Sequence, residues 1–172
     1  MAPLPDPAGP RDEVDRIVLA WQRERPDLDV QPLAVLSRVS RLARHLDLAR
    51  RSAFERHHLE TWEFDVLAAL RRAGAPYELS PGLLLARTMV TSGTMTNRID
   101  RLEVRGLVTR RPDPDDRRGV VVTLTPDGRT HVDAALSDLL EQERTILAEL
   151  RPSEVQRLAD LLRLVTLPFE EA

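Results

Sequence analysis

The chain has neither cysteine nor lysine. Without cysteine there is no disulfide framework, no Cys-ligated zinc, no iron–sulfur centre and no thiol nucleophile. Without lysine, all 25 basic side chains are arginines, whose charge is permanent. Arginine codons are GC-rich, so this bias reads as genomic in origin. It still means that every cationic contact must be made by a guanidinium. Any pH response is expected from a ligand or a histidine. Aromatics are only 3% of residues, so the core must be built mainly from Leu, Val and Ala. No apolar run approaches the roughly 18 residues of a membrane span. Met1 to Pro10 holds four prolines and no charged-then-apolar leader pattern. The expectation is a cytoplasmic protein without a membrane partner.

What is present is a 172-residue chain, 42% apolar, long enough for one domain with added arms. It carries 28 acidic residues and a net charge of −3. That sum alone argues against nucleic acid, but it conceals a local concentration. Residues 87–118 hold eight arginines against five acids, a net +3; the remainder holds 17 arginines against 23 acids, a net −6.

The punctuation of the chain sets the expected elements. Residues 1–11 read as a disordered, Pro-rich tail. Val14, Ile17, Val18 and Trp21 share one helical face, and Pro26 ends that helix. Pro32 starts a second helix with Leu33, Leu36, Val39, Ala43 and Leu46 on one stripe. A third runs from about Thr61 to Ala73 and closes at Gly74. Ser80-Pro81 opens a short helix to about Arg87. Another begins near Thr91 or Ser92 and ends at Gly106. Leu83, Leu84, Met89, Met95, Ile99 and Leu102 are expected to point inward from this pair. Leu107–Arg111 and Val120–Leu124 read as strands around a charged turn, Pro112 to Gly119. Thr125-Pro126 caps a long helix to about Leu150, and Pro152 begins the last one.

Helix, helix, helix, β-hairpin is the order of a winged helix-turn-helix. The second helix of the helix-turn-helix pair, the last of the three, enters the major groove of double-stranded DNA, and the hairpin reaches the flanking backbone or minor groove. The small polar residues Ser92, Gly93, Thr94, Thr96 and Asn97 would let the recognition helix approach bases closely, with Arg101 two turns further on. At the hairpin tip, Asp116 is spaced to hold Arg118, and with Arg117 these are the candidate wing contacts. His45, His57, His58 and His131 show no metal-ligand spacing and read as surface histidines. No catalytic motif appears, and neither an enzyme nor a cofactor is expected.

Three stretches carry a family resemblance. They are Thr94-Met-Thr-Asn-Arg-Ile-Asp-Arg-Leu-Glu-Val-Arg-Gly-Leu-Val108, Asp113-Pro-Asp-Asp-Arg-Arg-Gly119 and Val122-Thr-Leu-Thr125. The chain resembles the MarR family of bacterial transcription regulators over roughly residues 33–165. The resemblance implies a mainly α fold with a small β wing and N- and C-terminal dimerisation helices. It also implies a homodimer bound to a pseudo-palindromic operator, with half-sites about 34–36 Å apart. The expected division is a tail (1–11), N-terminal helices (12–57), the winged domain (58–125) and C-terminal dimerisation helices (126–172).

A narrower resemblance, carried by Trp21 and the run Trp62-Glu-Phe-Asp-Val-Leu67, is to the urate-responsive branch of that family. It implies a ligand site and relay at Trp21, Asp65, Arg98 and Arg110. Trp21 would stack on a planar anion and Arg98 would bind its oxygens. Asp65 would pair with Arg110 in the DNA-competent state. The implied function is a repressor released by a small anionic ligand such as urate or a related purine. The residues leave two alternatives open. One is a regulator of the same fold that answers to phenolic or drug-like compounds. The other is a ligand-independent architectural protein, although a basic charge confined to one motif disfavours it.

Overall fold

The computed structural model describes residues 11–88, 91–114 and 119–170. The elements in order are α1 (Glu13–Glu24), α2 (Gln31–Glu55), α3 (Thr61–Arg72), β1 (Glu78–Leu79), α4 (Pro81–Thr88), α5 (Ser92–Val104), β2 (Val108–Pro112), β3 (Val120–Leu124), α6 (Pro126–Ile146) and α7 (Pro152–Glu170). The chain divides into two compact units, Met1–Leu48 and Ala49–Ala172.

In the first unit, Val14 and Val18 of α1 are buried with Val30, and Leu33 and Ala34 pack against them. Asp12 caps α1 by accepting from the Asp15 N–H at 2.9 Å, and Asp15 accepts from the Asp12 N–H at 3.0 Å. Arg38 of α2 then grips both carboxylates, with Nε to Asp12 at 2.9 Å and Nη2 to Asp15 at 2.7 Å. The Asp15 N–H, and secondly Arg38, hold the Asp12 carboxyl below its ordinary pKa.

In the second unit α3 is the central element. Phe64, Val66, Leu67, Ala68, Ala69 and Leu70 are all buried, more than one stripe can supply, because neighbours cover it on several sides. Phe64 stacks on Phe54 of α2 with ring centroids 4.0 Å apart. Leu84, Met95, Ile99 and Leu102 complete the core from α4 and α5. The sheet is antiparallel in the order β1-β3-β2, with Leu79 opposite Val122 and Val108 opposite Leu124. Gly106 and Gly128 shape the junction of α5, the wing and α6. Gly106, at φ +70, lets the chain turn from α5 into β2. A Cβ at Gly128 would collide with the Leu107 carbonyl and approach Leu124 Cδ1 to 2.8 Å, so α6 sits against the start of the wing. Thr125 fastens this corner, accepting from Gly128 N–H at 3.0 Å and donating to the Gly106 carbonyl at 2.8 Å.

Three expectations need correcting. Leu83 is half-exposed rather than inward, because Leu84 alone of the pair faces the core. α6 ends at Ile146, short of Leu150. The strand β1 was not anticipated, since two residues show no period. Met89 and the wing-tip candidates Asp116, Arg117 and Arg118 lie outside the described residues. Along α7, no residue is buried, and Leu158, Leu161, Leu162 and Val165 are all exposed.

Candidate nucleic-acid interface and adjoining hollow

Met95, Ile99 and Leu102 anchor α5 to the core at helical spacing. That orientation leaves Gly93, Thr94, Asn97 and Arg101 exposed on the outer side, with Thr96 exposed on a flank. Ser92 begins the helix, and Thr91 precedes it in extended conformation. Thr91 Oγ1 and Thr94 Oγ1 lie 2.9 Å apart. The outer side of α5 is therefore small and polar at its start and cationic further on. Such a surface can enter a groove and engage base edges and phosphate.

One flank of α5 is tied to the start of α3. Arg101 Nη2 donates to Glu60 Oε1 at 2.7 Å, and Trp62 Nε1–H donates to Glu60 Oε2 at 2.8 Å. The Trp62 N–H, and secondly Arg101, lower the Glu60 pKa. The Arg98 and Arg101 guanidiniums lie 5.4 and 4.7 Å from the centroid of the Trp62 ring. Arg105 pairs with Glu63 and donates to the His58 carbonyl at 2.7 Å. Glu63 is only 2% exposed, the one charged residue buried among those described.

The other flank is tied to the wing. Arg110 of β2 donates through Nε to Glu103 at 2.9 Å and through Nη1 to Asp100 at 2.6 Å. The Arg110 backbone N–H donates to Glu103 as well, at 3.1 Å.

Behind α5 a hollow of about 480 Å³ is lined by Arg51, Glu55, Leu59, Glu60, Thr61, Trp62, Asp65 and Arg98. Burial raises the Asp65 pKa, against the lowering influence of Arg50, Arg98 and Arg72. Asp65 pairs with Arg50 at 3.1 Å. In place of the expected Asp65–Arg110 pair, Asp65 meets Arg50, and Arg110 closes on its near neighbours Glu103 and Asp100. The structure brings Asp65 and Arg98 to one hollow. Trp21 belongs to the first unit, where it is 48% exposed and lines a recess of about 450 Å³ with Leu28, Val30 and Leu33. The aromatic residue of the Asp65 hollow is Trp62. Sequence reasoning passed over it and Glu60 as site residues, although Trp62 and Asp65 are one helical turn apart. His57 is half-buried, its Nε2 2.9 Å from Asp138 Oδ2, and is not a plain surface histidine. Among the described residues, no group of three or more His, Cys, Asp or Glu is placed to hold a metal ion, and no helix is long and apolar enough to cross a membrane.

Comparison with known proteins decides the family. Residues 59–119 match the model of the MarR family. Over 150 residues the chain is 41% identical to the HTH-type transcriptional regulator PecS of Dickeya dadantii, covering 87% of this chain and 90% of that protein. The chain belongs to the MarR family. This MarR-family chain is also 31% identical over 140 residues to the transcriptional repressor NicR of Pseudomonas putida, covering 79% of this chain and 87% of NicR. Among solved structures it is similar to Bordetella bronchiseptica BpsR, whose DNA binding is regulated by 6-hydroxynicotinic acid. That match has 31% identity and a TM-score of 0.58, and covers 75% of this chain and 98% of BpsR. A mutant of Escherichia coli MarR complexed with operator DNA matches at 26% identity and a TM-score of 0.66, covering 80% of this chain and 99% of that one. The relatives are transcriptional regulators, not enzymes, and the fold is the winged helix-turn-helix of MarR-family structures.

Proposed function

We propose that the chain is a homodimeric repressor that binds a pseudo-palindromic operator through α5 and its wing, and releases it when a small planar anion binds behind α5. The observation that carries this reading is a shared wall. Trp62 and Arg98 line the Asp65 hollow, and they also line a second hollow with Gly93, Thr94 and Asn97 on the outer side of α5. A ligand that moves Arg98 therefore moves the DNA-facing helix, and linkage requires DNA and ligand to weaken each other.

The acids of the hollow favour a displacement mechanism. Asp65 is already engaged by Arg50, and Glu60 by Arg101. An incoming anion competes with these carboxylates for guanidinium groups, whose planar forks suit paired oxygens. Urate or a related purine fits that chemistry, with Trp62 as the nearby aromatic surface and Trp21 as the residue implied by family resemblance. The regulation of BpsR by 6-hydroxynicotinic acid, another planar aromatic acid, supports the ligand class. The bare apolar residues of α7 support the dimer, since an apolar face of that length is normally covered. Asp116, Arg117 and Arg118 are the proposed wing contacts on the strength of the sequence.

A phenolic ligand is the second reading. Pro81, Ile99, Pro112 and Val120 make a more apolar hollow beside Arg110 and Arg111. The test is a gel shift on a duplex enriched by this chain from a random library. Urate, 6-hydroxynicotinate and a phenolic acid are then added in turn. Release by urate supports the first reading. Release by the phenolic acid alone transfers the site to the second hollow. Equal binding to scrambled competitor would overturn the repressor.

A further inference from the structure

Arg101, exposed on the outer side of α5, is already paired with an acid. Glu60 uses both carboxylate oxygens: Oε2 accepts from Trp62 Nε1–H at 2.8 Å, which leaves Oε1 to accept from Arg101 at 2.7 Å. The Trp62 ring lies 4.7 Å beneath the same guanidinium. Arg101 is therefore held by an ion pair at its edge and an aromatic ring at its face. This cradle opens on the hollow lined by Gly93, Thr94 and Asn97, the side that meets DNA.

We infer that Glu60 is a positioning residue that stands in for a DNA phosphate on Arg101 in the free protein. Operator binding is then an exchange of one anion for another on a single guanidinium. This rests on the DNA-binding reading above, and it adds a residue that lies outside α5 and the wing.

Exposure separates this pair from its neighbour. The Glu60 and Arg101 side chains are 58% and 54% exposed, so water and phosphate can reach both and the pair is weak enough to exchange. Glu63, which holds Arg105, is 2% exposed, and breaking that pair would strand a buried charge. Arg105 therefore anchors α5 while Arg101 is free to change partner. The exchange lowers affinity for every sequence by a similar factor. A site must offer further contacts to α5 before Arg101 leaves Glu60, which suppresses purely phosphate-driven attachment.

The experiment uses the full chain and the enriched duplex. Dissociation constants are measured at several salt concentrations for wild type, Glu60→Gln, Arg101→Gln and the double variant. Gln keeps an oxygen for the Trp62 N–H but cannot form the ion pair. Glu60→Gln is expected to bind severalfold more tightly with a steeper salt dependence. The deciding quantity is the coupling: Arg101→Gln must cost more in the Glu60→Gln background than in wild type. A general loss of negative charge would strengthen binding equally with or without Arg101. Glu60→Ser, which supplies a helix-capping oxygen, carries the same expectation should the Gln variant fold poorly. Equal costs of Arg101→Gln in both backgrounds, or no gain from Glu60→Gln, overturn the inference alone. Failure to enrich any duplex overturns the DNA-binding reading and this inference with it.

Discussion

Arg110 and Glu103 join the wing to α5: Arg110 Nε and its backbone N–H reach the two Glu103 carboxylate oxygens at 2.9 and 3.1 Å. The side chain and the chain direction of β2 are thereby set by one residue of α5. Asp100 adds a second hold on the same guanidinium at 2.6 Å. Both pairs are partly exposed, so their contribution to folding is small. Their effect is on alignment of wing and helix. Arg110→Gln is expected to lower operator affinity severalfold while the melting temperature barely moves. An unchanged affinity would show that the wing is aligned by the sheet alone.

Gly128 tests the corner between wing and α6. A methyl group there meets the Leu107 carbonyl and the Leu124 side chain. Gly128→Ala is expected to destabilise the fold by about 1–3 kcal/mol, read as a lower urea midpoint at constant slope. A stabilised variant would mean that α6 shifts freely from the sheet.

Two carboxyls should bend the pH–stability curve in opposite directions. The Arg111 hydrogen bond, then Thr123, lowers the Glu78 pKa below its ordinary 4.5. Its contribution is present above that value and is lost as pH falls through the lower folded value. Burial raises the Asp65 pKa above 3.8, so the folded chain holds that proton more tightly and the contribution disappears as pH rises through the folded value. Glu78→Gln should therefore be less stable than wild type at pH 7, with the gap closing in acid. Asp65→Asn should gain stability relative to wild type as pH rises from 3.8 to 7. Urea midpoints of both variants across that range decide the signs, and parallel curves would refute both assignments.

The apolar face of α7 predicts assembly. Leu161 is half-exposed and Leu158, Leu162 and Val165 accompany it. Light scattering should give a dimer for the wild type and a monomer for Leu161→Arg. A monomeric wild type would remove the homodimer from the proposal.

Trp21 and Trp62 are the only two indoles, so fluorescence can assign the ligand site. If urate occupies the Asp65 hollow, Trp62→Phe should abolish most of the quenching. If Trp21→Phe abolishes it instead, the stacking residue is the one implied by family resemblance. No quenching at millimolar urate would exclude urate at either place.

Much of this was legible in the chain. Pro32, Gly74, Ser80-Pro81, Gly106 and Thr125-Pro126 mark ends of elements because each constrains local dihedrals or caps a helix within a few residues. The spacing of Met95, Ile99 and Leu102 set the outer side of α5 for the same reason: a helix has a fixed period. A charge of +3 gathered into residues 87–118 of an acidic chain was also visible without coordinates.

Partner choice was not legible. Asp65 pairs with Arg50 and not Arg110, Arg101 with Glu60, and Arg110 with Glu103 and Asp100. With 25 identical cations and 28 acids, sequence distance carries almost no information about which guanidinium meets which carboxylate. Ion pairs act through space over a few ångströms, and only the tertiary fold brings Glu60 and Trp62, at the start of α3, to Arg101 of α5. The sequence by itself determined the order of the helices and of the two wing strands, the family and the candidate DNA-facing helix, while β1 emerged only in the fold. The tertiary structure decided which arginines of that helix are held, and by what.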